Sequence, residues 1–196
     1  MHCPYTAEKA RLVVREMTDS LVLDLVEKNL LTDQIVLTIG YDIENLTDEK
    51  RRSKYHGEIT VDHYGRAVPK HAHGTQNLGK HTSSTKGILK AVDELFDRIV
   101  NKDLLVRRIN LTACHVMDAE TVKANSHGEQ LDIFSMLEAE EKGRTEAEDQ
   151  EREKRRQHTV IDIKKKFGKN AIVKGMNLEE GATAMDRNKQ IGGHKA

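Results

Sequence analysis

Residues 32–42 read TDQIVLTIGYD, and the period of this stretch decides the fold. Ile35, Leu37, Ile39 and Tyr41 share one face of an extended chain, with Val36, Thr38 and Gly40 on the other, which is the pattern of a strand half-buried on a sheet. The preceding segment, PYTAEKARLVVREMTDSLVLDLVEKNLL, changes period. Thr6 is placed to cap a helix from about residue 6 to residue 28; Ala10, Val13, Met17, Leu21 and Leu25 recur at helical spacing, and Val14, Val22 and Val26 widen the stripe.

On the other side of the strand, residues 44–74 are polar, and DHYG between short alternating runs suggests a small hairpin or ordered excursion. TQNLGKHTSS is a weaker strand candidate. It leads into STKGILKAVDELFDRIVN, where Ser83 or Ser84 can cap a second helix with Ile88, Ala91, Val92, Leu95, Phe96 and Ile99 facing inward. LLVRRINLTACHV alternates again, with Leu105, Arg107, Ile109, Leu111, Ala113 and His115 on one side. Helix, strand, strand, helix, strand is the order of an α+β split β-α-β fold, ferredoxin-like, with two helices on one face of an antiparallel sheet. One strand is largely missing: it would precede the first helix, where only MHCP stands, and in a ferredoxin-like order it would lie inside the sheet.

With aromatics at 4% and charged residues at 33%, the core must be aliphatic and part of the chain is not expected to enter it. Net charge is zero but unevenly placed. Lys and Arg against Asp and Glu stand at 18 and 18 over residues 1–127, 6 and 10 over 128–158, and 8 and 4 over 159–196, which marks 128–196 as an appended helical or disordered charged tail. Residues 50–115 hold 13 basic and 6 acidic groups with six of the ten His, a local excess suited to an anionic partner. Two cysteines, Cys3 and Cys114, make no disulfide framework, and no apolar run is long enough to span a bilayer. A cytoplasmic protein without a membrane partner is expected.

These segments, together with the closing IDIKKKFGKNAIVKGMNLEEGATAMDRNKQIGGHKA, resemble the C-terminal part of a UmuC-like, Y-family translesion DNA polymerase, most strongly over residues 4–116. The resemblance implies that residues 1–127 are the little-finger domain, which binds the primer-template duplex mainly through phosphates in translesion synthesis, a DNA-repair activity of the SOS response. The family's palm carries the carboxylates that hold two metals for nucleotidyl transfer. No part of this sequence matches palm, fingers or thumb, so no residue is assigned a catalytic role and no cofactor or metal is called for.

Within that frame, Arg66, Lys70, Lys80, His81, Arg107 and Arg108 are candidate phosphate contacts. Thr82, Ser83 and Ser84 join them at the start of the second helix, whose free amides can receive an anion. Gln130, Leu131, Asp132, Ile133 and Phe134 form QLDIF, which looks like the short motif by which bacterial polymerases dock on the sliding clamp, apolar anchors entering a groove beside a directional amide. His63, His71, His73 and Cys114 lack the paired spacing of a zinc site. The expected function is a duplex-binding module tethered to the clamp, assisting a separately encoded catalytic half. The alternatives are a clamp-binding protein without DNA affinity and a nonfunctional remnant.

Overall fold

The computed structural model describes residues 3–125, 133–191 and 194–195. Helix α1 (Ala7–Glu27) begins at Thr6, whose hydroxyl accepts from the Lys9 amide at 3.4 Å. Asn29, at φ 55°, turns the chain into β1 (Leu30–Tyr41), a backbone region that Asn tolerates better than most residues. Two single-turn helices follow, α2 (Glu44–Thr47) and α3 (Glu49–Arg52). Next come a hairpin, β2 (Ile59–Val61) and β3 (Ala67–Pro69), then β4 (Ala72–Thr82), α4 (Thr85–Ile99) and β5 (Val106–Cys114). Beyond these lie β6 (Met117–Asp118), α5 (Ala119–Asn125), the long α6 (Ile133–Phe167), a 3-10 turn (Gly175–Leu178), α7 (Ala184–Arg187) and a last pair, β7 (Gln190–Ile191) with β8 (His194–Lys195).

The sheet runs β4-β1-β5, antiparallel throughout, with β6 pairing the start of β1. This is the expected α+β sheet. The place of the strand ahead of α1 differs from expectation, however. Tyr5 exchanges backbone hydrogen bonds with Val106, at 2.9 and 2.8 Å, while β1 lies on the opposite side of β5. Because β1 already has a neighbour on each side, the chain preceding α1 meets the sheet at its β5 edge and not in its interior.

Helices α1 and α4 cover one face. Ile35, Leu37 and Ile39 of β1 are fully buried against Ala10, Val14 and Val22 of α1 and Ile88, Val92, Leu95 and Phe96 of α4. Strand β4 offers little apolar side chain here, and Gly74 shows why. A Cβ at Gly74 would stand 2.8 Å from Ile99 Cγ2 and 2.9 Å from Leu95 Cδ1, so bare backbone is what lets α4 approach. Asn45, also fully buried, donates through Nδ2 to the carbonyls of Asp42 and Leu105, both at 2.9 Å, and accepts from the Leu105 amide at 2.8 Å. It thereby locks the end of β1 to the approach of β5 with no polar group left over.

The C-terminal segment returns to this helical face. Along α6, Gln157 and Ile161 are buried, one turn apart, with Ile161 in the main core. Gln157 Nε2 donates to the Ser83 carbonyl and to Thr85 Oγ1, each at 3.0 Å, and Lys165 pairs with Glu27 at 3.0 Å. Residues 170–187 then follow α1 back toward its start, pairing Lys174 with Asp19 and Glu180 with Lys9. The expected tail is helical, and from Glu153 onward it packs on the body, a contact that a solvated charge run does not announce.

Candidate nucleic-acid interface

The sheet face away from the helices is open, and its character follows from strand parity. The outward positions are Gln34, Val36 and Thr38 on β1, His73, Thr75 and Asn77 on β4, and Asn110, Thr112 and Cys114 on β5. Hydroxyls, amides and an imidazole dominate, with no carboxylate among them. Two of the pairs are tied across strands: Gln34 Nε2 donates to Asn77 Oδ1 at 2.8 Å, and Thr38 Oγ1 lies 2.8 Å from His73 Nδ1.

Parity alone would put Arg107 on the core side with Ile109. The β1–β5 register shifts there: Gly40 pairs with Arg108 and Tyr41 with Val106, leaving Arg107 as the extra residue of a bulge. Both arginines are exposed as a result. Gly40 gives Arg108 room, since a Cβ at that position would lie 3.2 Å from Arg108 Cβ. Arg107 Nε is 3.8 Å from Asp42 Oδ2, whereas Arg108 has no hydrogen-bond or ion-pair partner among the described residues.

The hairpin stands over this end of the sheet and encloses with it a cleft of about 790 Å3. Arg66, Arg107, Arg108, His63 and His71 all line it. Arg66 is engaged by Asp62 through Nε at 2.9 Å and Nη2 at 2.7 Å, and these bonds hold the Asp62 carboxyl below its usual range and raise the guanidinium above its own. Lys70 is paired with Glu58 at 2.7 Å, which raises its ammonium pKa in the same way.

The remaining candidates gather at the opposite end, where Thr82 pairs with Thr32. Eight residue steps along β1 separate Thr32 from Gly40, about 26 Å of strand, comparable to eight base steps of a duplex strand. Lys80 is exposed. His81 Nε2 lies 3.1 Å from the His115 carbonyl oxygen, Thr82 Oγ1 accepts from the Ser84 amide at 3.0 Å, and the Ser83 carbonyl is covered by Gln157. Ser84 caps α4 as expected, its Oγ accepting from the Gly87 amide at 3.2 Å. The amides beyond are not open: Glu153 of α6 accepts from the Ser84 hydroxyl at 2.8 Å and from the Lys86 amide at 3.2 Å. Gln130, Leu131 and Asp132 lie outside the described residues, while the backbone of Ile133 and Phe134 opens α6.

Among the described residues, no group of three or more His, Cys, Asp or Glu is placed to hold a metal, and no helix is long and apolar enough to cross a membrane. An antiparallel sheet with two helices on one face and a polar, carboxylate-free open face is the little-finger class of α+β module. Residues 3–132 match the impB/mucB/samB family C-terminal domain, and the chain belongs to that family, the C-terminal part of UmuC-like Y-family polymerases. Comparison with the curated proteins and with the solved structures gives no match.

Proposed function

We propose that this module binds the primer-template duplex through phosphates laid across the open sheet face. One contact group is Arg107 and Arg108 with Arg66 and Lys70; the other is Lys80 and His81, with the Thr82, Ser83 and Ser84 turn beside them reached by a phosphate only where it displaces Glu153. The observation that carries the reading is the bulge, which brings two consecutive arginines to the surface at the edge of a face whose central outward positions on β1, β4 and β5 hold no carboxylate. Contacts of this kind position a duplex without reading its sequence. Membership of a polymerase family supports the choice of DNA as the anion.

QLDIF, residues 130–134, would dock on the sliding clamp, holding a weak DNA binder at the primer terminus by raising its effective concentration. The nucleotidyl-transfer groups then come from a catalytic half outside these residues, working with this module in the cytoplasm. The test is fluorescence anisotropy of a labelled primed duplex titrated with the full chain at low and moderate salt. Saturable binding that weakens steeply with salt is expected. Absence of binding at low salt would leave the clamp-only reading standing.

A further inference from the structure

We propose that the cleft between the β2–β3 hairpin and the sheet receives an unpaired base from the single strand that continues beyond the bound duplex, stacked on the Tyr64 ring, with the phosphate that joins it to the duplex at Arg108. The inference rests on the duplex-binding reading and adds a second ligand element to it. Tyr64 sits in the hairpin turn with 71% of its surface exposed, beside Val61 at 70%, so the core does not use it. The turn that carries it is nonetheless hydrogen-bonded throughout. Asp62 Oδ1 accepts from the amides of Tyr64 and Arg66 at 2.9 and 3.0 Å, Oδ2 takes the Arg66 guanidinium, and Gly65 supplies the φ of 74° that closes the turn. Arg66 backs the ring at 5.0 Å from its centroid, and the His63 ring lies at a steep angle to it with centroids 5.5 Å apart.

An exposed aromatic ring carried on a hydrogen-bonded turn over a cationic cleft matches a ligand with a flat apolar face and an attached anion. The cleft volume, about 790 Å3, falls within the range of about 300–1,000 Å3 typical of small-ligand sites. Both carboxylates in its wall already face an arginine, Asp62 at 2.7 Å from Arg66 and Asp42 at 3.8 Å from Arg107, which leaves Arg108 for a phosphate. A strand fits better than a free nucleotide because the wall is continuous with the open face: Thr38, Arg108 and Asn110 belong to both.

The test compares a fluorescein-labelled blunt duplex with the same duplex carrying a thymidine overhang, each titrated with the full chain at one salt concentration. The overhang is expected to tighten binding about ten-fold, from one stacked base. Tyr64→Ala removes that gain and leaves blunt-duplex binding unchanged, while Tyr64→Phe, which keeps the ring, retains it. Equal wild-type affinity for the two duplexes, or a Tyr64→Ala loss shared by both, overturns the inference and leaves the duplex reading intact. Failure to bind either duplex overturns the duplex reading and this inference with it.

Discussion

The Glu153 carboxylate rests on the start of α4, 2.8 Å from Ser84 Oγ, although 69 residues of chain separate the two. It occupies the place that an incoming phosphate would take at a capped helix terminus, and it satisfies the same donors. Glu153→Ala is expected to raise duplex affinity about two- to five-fold at low salt, the worth of one charge at a helix end. Anisotropy titration measures it. An unchanged affinity would mean that phosphates stop at Lys80 and His81 and never reach α4.

Glu16 anchors the C-terminal segment from a fully buried position on α1. Its Oε2 accepts from the amides of Thr183 and Ala184 at 2.8 and 3.0 Å and from Thr183 Oγ1 at 3.1 Å, while Oε1 accepts from Asn177 Nδ2 at 2.9 Å. Arg187 stands 3.5 Å away, its pKa pulled down by burial against the opposing pull of Glu16, and its buried Nε has no partner. Glu16→Ala strands this set of donors and is expected to cost about 3–5 kcal/mol in urea unfolding of the full chain. Hydrogen exchange at the Thr183 and Ala184 amides should accelerate together, and unaltered protection there would show that the segment is held by something else.

Much of this architecture is legible in the sequence because its periods are clean. The two-residue alternation from Ile35 to Tyr41 buries the face it announces, and Ser84 caps α4; of the 3.6-residue stripe on α1, Ala10, Val13 and Leu25 are buried while Met17 and Leu21 are half-buried, because the inward face is centred on Val14, Thr18 and Val22. Three features are not legible, each for a physical reason. A bulge adds one residue without a compositional mark, so Arg107 reads as core-facing. Among the described residues α6 puts a single aliphatic side chain, Ile161, into the main core and is otherwise tied down through polar groups such as Gln157, Glu153 and Lys165, so the core contact leaves no apolar stripe to read. Glu16 becomes a buried group only through donors more than 160 residues away, a pairing that no local pattern carries. Arg66, Lys70, Lys80, Arg107 and Arg108 are exposed and His81 is half-buried, and their separation into two groups follows from strand register.

Asp97 gives the fold an acid-sensitive contact. Hydrogen bonding from Arg11, then from Lys102 at 2.7 Å, lowers its carboxyl pKa from the usual 3.8 to about 2. A folded value below the unfolded one means a contribution that is fully present above about pH 4 and disappears as pH falls through about 2. An NMR titration should place the Asp97 midpoint near 2, and Asp97→Asn should flatten the stability profile between those limits. A midpoint at the ordinary 3.8 would show that the arginine contact does not persist in solution.

Gly74 tests the helix-to-sheet packing directly. Gly74→Ala places a methyl against Ile99 Cγ2 and Leu95 Cδ1 at distances, 2.8 and 2.9 Å, that force those side chains, or the helix that carries them, to move. The expected destabilisation is about 1–3 kcal/mol, as for other overpacked cores. A urea midpoint unchanged from wild type would mean that α4 has slack over β4.

The arginine bulge makes a separate claim on salt dependence. If Arg107 and Arg108 each neutralise a phosphate, Arg107→Gln with Arg108→Gln should reduce the slope of log affinity against log salt by about two, at roughly 0.9 per contact. The loss should be similar on unrelated duplex sequences, since phosphates carry no base identity. Gly40→Val supplies an independent check: a branched side chain opposite Arg108, where even a Cβ would stand 3.2 Å from Arg108 Cβ, displaces that arginine while leaving both charges in the chain. A slope reduced in Gly40→Val as well as in the double variant would tie binding to the placement of the arginines, whereas a slope lowered only by charge removal would reduce their role to general electrostatics.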